Sequence, residues 1–244
     1  MPVAIITGAS KGLGRALAEA LAARGWNLVL DARTAPVLKE AARGLEPYGA
    51  KVVALPGDVT DARHRAELVA TARGLGGLDL LVNNASALGA EPLVPLAELG
   101  LAGLRAALET NVVAALGLVQ EGLALLRAAP AGTVVAVSSD AAAEAYGTWG
   151  GYGASKAALD QLAAVLAVEE PGLRVWAVDP GDMRTDLYAA VPDDDSGRPE
   201  PSAVVPGFLR LLDERPPSGR YGAAALAAGH GEDAPADGRA EAGR

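Results

Sequence analysis

"VAIITGASKGLGRALAEALAARG", residues 3–25, passes from an apolar run through three glycines into a long amphipathic stretch. Val3–Thr7 is apolar up to its last residue, as a strand reads when a parallel sheet is covered on both faces. From Leu13 onward the leucines and alanines recur at helical spacing. Between the two lie Gly8, Gly12 and Gly14. Glycines here let the backbone turn tightly, approach a pyrophosphate and bring the helix close to the sheet. The helix start adds free N–H groups and about half a positive charge for an anion. A glycine turn between a first strand and a first helix therefore predicts a dinucleotide site.

The rest of the chain repeats the alternation. Further strands are expected at 27–31, 51–55, 78–83, 133–138 and 173–178, with helices at about 12–24, 35–45, 61–75, 101–128 and 152–169. A seventh strand at Gly219–Leu226, reached through a helix near 202–213, would close the series. This order predicts an α/β chain: one Rossmann-like, doubly wound sheet of six to seven parallel strands with helices on both faces. The domain spans 1–228, with a cofactor half to about residue 140 and a substrate-specificity half from 141. "PDDDSGRPEP" (192–201) reads as a solvated acidic loop, and 229–244, poor in bulky apolar residues, as a disordered tail.

Composition removes whole classes of function. With no cysteine, disulfides and thiolate chemistry are excluded, and His64 and His230 alone predict no metal site. The net charge of −9 lacks the basic footprint of a nucleic-acid binder. No apolar run reaches the ~18 residues of a membrane span, so a cytoplasmic chain with no membrane partner is expected. His64, flanked by Arg63 and Arg65, reads as a solvated surface residue.

Thr7-Gly8-x-x-x-Gly12-x-Gly14 differs from the G-x-G-x-x-G spacing and resembles the short-chain dehydrogenase/reductase family. "LDLLVNNAS" (78–86) resembles that family's Asn-Asn-Ala-Gly segment, with Ser86 in place of the glycine. Gly57-Asp58-Val59 resembles its adenine-receiving turn, Asn111 its helix asparagine, and "DPGDMRT" (179–185) its Pro-Gly turn and threonine. The resemblance runs from Val3 to about Thr185. It implies an NAD(P)-dependent oxidoreductase interconverting a small-molecule carbonyl and alcohol, commonly as a homodimer or homotetramer built on the long helices. Implied cofactor contacts are Gly8, Ser10, Lys11, Gly12, Leu13 and Gly14 from the first turn, and Asp58, Val59, Asn84 and Ala85 beyond it. Pro180, Gly181, Met183 and Thr185 complete them from the far side.

"SSDAAAEAYGTWGGYGASK" (138–156) holds two tyrosines, and only Tyr152 has a lysine, Lys156, one helical turn downstream. The resemblance implies that Tyr152 exchanges the proton and that Ser139, 13 residues upstream, positions the substrate oxygen. It also implies that Lys156 and Tyr152 touch the cofactor, and that Asn111 holds a water linking Lys156 to solvent. A cation ~4 Å from the phenol, at an effective dielectric of ~20, contributes about 4 kcal/mol and lowers a tyrosine from ~10 by roughly three units.

In the family the NAD-type aspartate falls at position 32, which is Ala32 here; Asp31 sits one residue early and should point to the other side of its strand. Arg33 and Lys11 stand where NADP-preferring members carry basic residues, so NADP(H) is preferred, with NAD(H) possible. Leu88, Leu93, Tyr146, Trp149 and Tyr188 suggest a mostly apolar, uncharged substrate region, with Arg184 and Arg198 as surface charges. The alternative function is a dinucleotide-sensing protein without turnover, which loss of Tyr152 or Lys156 would have favoured. "GRYGAAALAAGHGEDA" departs from the family's glycine-rich ending, which leaves the closing strand open.

Overall fold

A computed structural model describes residues 1–189 and 197–229, among which seven short strands form. The strands are β1 (Val3–Ile6), β2 (Asn27–Ala32), β3 (Val52–Pro56), β4 (Leu80–Asn83), β5 (Thr133–Val137), β6 (Arg174–Asp179) and β7 (Gly219–Gly222). Of these, β1, β2, β4 and β5 are buried throughout, while the edge strands β3 and β7 are partly exposed. All neighbours pair in parallel, in the order β3-β2-β1-β4-β5-β6-β7. The order reverses between β1 and β4, and in such sheets ligands bind beyond the carboxyl ends of the strands at that switch.

Helices cover both faces. They are α1 (Gly12–Ala23), α2 (Ala35–Arg43), α3 (Ala62–Leu75), α4 (Leu101–Leu108), α5 (Ala114–Ala128), α6 (Gly150–Glu169), α7 (Asp186–Ala189), α8 (Val205–Glu214) and α9 (Ala223–Ala227). Successive strand residues feed opposite cores. Ala4, Ile6, Leu28, Leu30 and Val178 meet Leu17 and Leu21 of α1 and Phe208 and Leu211 of α8. Val3, Ile5, Val29, Val134 and Val175 meet Leu68 of α3, Leu118 of α5 and Leu159 of α6.

Three expectations are corrected. The seventh strand stops at Gly222, where the chain turns into α9 instead of extending to Leu226. The helix expected at 101–128 carries a π turn, Glu109–Val113, that separates α4 from α5 and puts the buried Asn111 on its inner side. That same stretch, Leu101–Ala128, is long and apolar enough to cross a membrane, contrary to the reading that no such run exists. Here Ala107, Ala114, Leu118, Val119 and Leu126 bury its inner side instead. The acidic run Asp193–Asp195 and the tail from residue 230 lie outside the described residues.

Trp176 is fully buried in the α1–α8 core, and its indole N–H donates to the carbonyls of Pro216 and Pro217 at 3.3 and 3.2 Å. It thereby fastens the β7 approach to the middle of β6. Trp176→Ala should cost about 3–5 kcal/mol in urea unfolding. A loss below about 1 kcal/mol would show that this core closes over the void.

Candidate active site

The carboxyl ends of β1 and β4 meet around the glycine turn. Gly8 and Gly12 have φ of +65° and +53°, which L side chains rarely adopt. Gly14 has an ordinary φ but no room: a Cβ there would lie 2.5 Å from the Gly8 carbonyl oxygen. Asn84 pins the turn, its amide donating to the carbonyls of Thr7 and Gly8 at 2.8 and 3.2 Å. Thr7 Oγ1 in turn accepts from the backbone N–H groups of Asn84 and Ala85, each at 3.0 Å.

Asp31 supports the turn from β2. Its carbonyl accepts from Ala9 N–H at 2.8 Å, and its buried carboxylate lies 2.6 Å from His64 Nε2. The side chain lies toward α3, as strand alternation predicts, while Ala32 faces the α1 core. His64 is therefore not a surface residue: it is 7% exposed, tucked where Gly57 has no side chain. The Arg63–Arg65 context misleads because the first turn of α3 runs under β2, and its partner is 33 residues away in sequence. Burial raises the Asp31 carboxyl above the usual range, and His64 opposes that rise.

Beyond this turn lies a cavity of about 290 Å³ lined by Gly8, Ser10, Lys11, Ala32, Arg33, Asp58, Val59 and Ala85, among others. Asp58 is held below the usual carboxylate range, chiefly by the Thr60 N–H, which donates to it at 2.9 Å. Lys11 Nζ meets Asp186 of α7 at 2.6 Å. Leu13 turns into the core, so only its backbone is available to a ligand. Gly12 and Gly14 shape the turn without lining the cavity.

A second cavity, about 340 Å³, collects Ser139, Tyr152, Pro180, Gly181, Met183 and Thr185 with Tyr146, Trp149 and Leu187. Trp149 meets the Tyr152 ring edge-on, centroids 5.6 Å apart. Leu88 and Leu93 form one small apolar cluster with Tyr152 and Trp149. Asp140, Asp179 and Asp182 also line this cavity, which corrects the expectation of an uncharged region. Tyr146 hydrogen-bonds to Asp140 and Glu144 at 3.0 and 2.8 Å, which raises its hydroxyl. Arg198 is half-buried against Asp182 rather than a plain surface charge, while Arg184 pairs with Glu200 outside. Nothing is described of the Tyr188 side chain.

The Asn111 side chain is engaged by the segment after β4 and by α6. Its Oδ1 accepts from Ala87 N–H at 2.8 Å and Ser86 Oγ at 3.3 Å. Its Nδ2 donates to the Ala87 carbonyl at 2.9 Å and to Ser155 Oγ at 2.8 Å. Ser155, fully buried, donates to the Tyr152 carbonyl at 2.6 Å. The π turn thus ties the segment after β4 to the backbone of the tyrosine. Neither Ser155 nor Ser86 carries a sequence signal for this role, because both partners are distant in the chain.

Lys156 Nζ donates to the Val137 carbonyl at 2.7 Å and lies 5.5 Å from the centre of the Tyr152 ring. Burial pushes the lysine down to about 8. The Tyr152 hydroxyl is pushed up to about 12, first by burial, with Asp179 and Asp140 adding to the rise and Ser86 and Ser139 opposing it. The expected lowering by three units is therefore corrected. The simple Coulomb argument left out the desolvation of both partners. What the geometry provides is two hydroxyls, Ser139 and Tyr152, at one cavity wall, able to hydrogen-bond and protonate an oxygen placed there.

A family model described as short chain dehydrogenase matches residues 2–196. The chain is 36% identical to the cis-4-hydroxycyclohexanecarboxylate dehydrogenase of Sinomonas cyclohexanicum over 79% of its own length and 77% of that protein. It is 30% identical to a diacetyl reductase, (S)-acetoin forming, of Staphylococcus epidermidis over 89% of its length and 85% of that protein. Among solved structures, a Shigella flexneri short chain dehydrogenase complexed with NADP superposes with a TM-score of 0.84 at 29% identity, covering 91% of this chain and 96% of that one.

Lys156 gives a pH-dependent stability with a fixed sign. Its folded value of about 8 lies below the 10.5 of an unburied lysine, so between these values the unfolded chain binds more protons. Stability then rises with pH through that window. The unfolding free energy of the parent relative to Lys156→Met should increase by about 2 kcal/mol between roughly pH 7 and pH 10. Parallel profiles for the two chains would contradict the buried-cation assignment.

Proposed function

The chain belongs to the short-chain dehydrogenase family and is an oxidoreductase, and on that premise we propose that it interconverts a small carbonyl and its alcohol with NADP(H), Tyr152 giving and taking the proton. The observation that carries this is the shared wall: Tyr152 and Ser139 face one cavity, bounded on its other side by Pro180–Thr185. The residues fit a nicotinamide nucleotide. The glycine turn leaves no room for a Cβ at Gly14, and its free backbone opens into the neighbouring cavity.

The nucleotide supplies the hydride. Charge would then develop on the substrate oxygen, where Tyr152 would deliver its proton and Ser139, its hydroxyl turned from Asp140 Oδ1 at 3.0 Å, would donate a hydrogen bond. A hydroxyl held near 12 gives that proton up only to a strongly basic oxygen, which suits protonation late in the transfer. Lys156 places a cation beside the phenol as negative charge forms there. Its low value means that this cation is lost above about pH 8. Asn111 and Ser155 hold the tyrosine's helix in register with the segment after β4.

The NADP preference rests on Lys11 and Arg33, two cations in a cavity that Asp31 and Asp58 also line, and on Ala32 standing where an NAD-type carboxylate would. Asp31 is no competitor, because its carboxylate is occupied by His64. The relative solved with NADP supports the same choice. A nucleotide half to about residue 140 and a substrate half beyond it follow the division between the two cavities. The outward faces of α5 and α6 and the adjoining π turn expose Val113, Leu116 and Val165, which supports a homodimer or homotetramer on these helices. A cytoplasmic setting remains the inferred one.

The test titrates NADPH and NADH, then follows NADPH consumption with a ketone panel that includes diacetyl and 4-oxocyclohexanecarboxylate. NADPH should bind at least about tenfold tighter, and Lys11→Ala with Arg33→Ala should erase the difference. Tyr152→Phe should lower kcat by roughly 10²–10⁴ with nucleotide affinity unchanged. Tighter NADH binding would overturn the cofactor choice. Tight binding with no turnover of any ketone would favour the sensing alternative.

A further inference from the structure

The closing strand, which departs from the family's glycine-rich ending, carries an arginine that reaches three parts of the site at once. Arg220 lies on β7 opposite Ala177 of β6. Its Nη2 donates to the Ser139 carbonyl at 2.9 Å and to Asp179 Oδ2 at 3.2 Å, and its Nε donates to Asp160 Oδ2 at 3.1 Å. These partners are 81, 41 and 60 residues away in sequence. Ser139 ends β5 and faces the cavity; Asp179 ends β6 and accepts from Gly181 N–H at 2.9 Å. Asp160 stands on α6, one turn past Lys156. The guanidinium does not itself line the cavity.

We propose that Arg220 is a positioning residue of the reductase site, fixing the Ser139 peptide relative to α6 and the Pro180–Gly181 turn and shielding Tyr152 from the Asp179 charge. This rests on the reading of Ser139 and Tyr152 given above. Only a planar guanidinium presents several N–H donors in fixed directions; a lysine at the same place reaches fewer partners. Stability is a poor reason for the arrangement. The side chain is 40% exposed, and ion pairs at such positions contribute little.

The electrostatics run in the same direction. Asp179 raises Tyr152, while Arg220 opposes the burial-driven rise of Asp179 itself. Asp160 raises Lys156, and Arg220 is the cation on Asp160. The groups around the Tyr152 side chain are Ser86 from the segment after β4, Ser139 and Asp140 beyond the end of β5, Asp179 from β6 and, 5.5 Å from the ring centre, Lys156 from its own helix. Removing Arg220 leaves the Asp179 carboxylate uncompensated beside that set, so the phenol becomes harder to ionise.

The experiment compares the full chain with Arg220→Lys, Arg220→Ala and Tyr152→Phe. It follows reduction of the panel ketone turned over fastest, and oxidation of the matching alcohol, across pH. Arg220→Ala should lower kcat about 100-fold, as for a catalytic group displaced by an ångström, and move the rising limb of alcohol oxidation to higher pH. Its KM for nucleotide should stay within about threefold, and Arg220→Lys should recover part of the rate without all of it. Amide hydrogen exchange should quicken together over 138–142, 158–162 and 179–182 and not across the rest of the sheet. An unchanged kcat, a rate loss with an unmoved limb, or exchange unaltered in those three segments overturns the proposal. If Arg220→Ala does not fold, Arg220→Lys is judged by the same three readouts. Tyr152→Phe separates the two readings: if it keeps the parent's rate and limb, the Tyr152 assignment fails. If no ketone is turned over, exchange alone decides for or against the clamp.

Discussion

The close approach of Gly14 to the Gly8 carbonyl is the constraint on which the glycine turn depends. A methyl group at Gly14 would sit 2.5 Å from that oxygen and 2.6 Å from the Asn84 amide that donates to it. Helix α1 can therefore approach the end of β1 only if residue 14 has no side chain. That approach sets the angle at which α1 crosses the sheet and meets the Leu28–Leu30 side of β2. It also lets one β4-end amide reach two carbonyls of the turn, joining the strands on either side of the switch point. The cavities on both sides depend on this seam, because its far edge continues through Ala85, Ser86 and Ala87 to Asn111.

The inner strands were legible because they are buried on both faces and so read as unbroken apolar runs, while the partly exposed β7 carries no such run. Tyr152, Lys156, Ser139 and Asn111 were legible through a family resemblance in spacing, and the structure brings the first three to one corner. Single-sequence reading failed where a partner comes from far along the chain. His64 and Asp31 carry no mutual signal, and Arg220 meets Ser139, Asp160 and Asp179 only after the seventh strand has docked. Asp140, Asp179 and Asp182 looked like unrelated loop acids until two neighbouring strand ends placed them on one wall. Local pattern reports burial well; it does not report which buried or loop groups face each other.

Tyr152 and Lys156 show the same limit in energetic form. An i, i+4 pair suggests a cation that stabilises a phenolate, and in water that sign would hold. Inside the protein both members are stripped of solvent. The lysine gives its hydrogen bond to the Val137 carbonyl, and the tyrosine is surrounded by hydroxyls and carboxylates rather than by bare positive charge. Desolvation acts on each group separately and dominates the pair. The resting site therefore keeps its proton on Tyr152, as the proposed reduction requires.

Helix α7 is the narrow divider between the two cavities. Asp186 lines one and reaches Lys11 on the glycine turn; Leu187, the next residue, lines the other. A ligand that draws Lys11 away from Asp186 releases a restraint on the wall that Leu187 presents to its neighbour. The two compartments thus share one helix, adjacent residues of which line each of them. By linkage, whatever factor occupation of one side lends to affinity on the other must be returned in equal measure. Any such exchange would pass through a four-residue helix and one exposed ion pair.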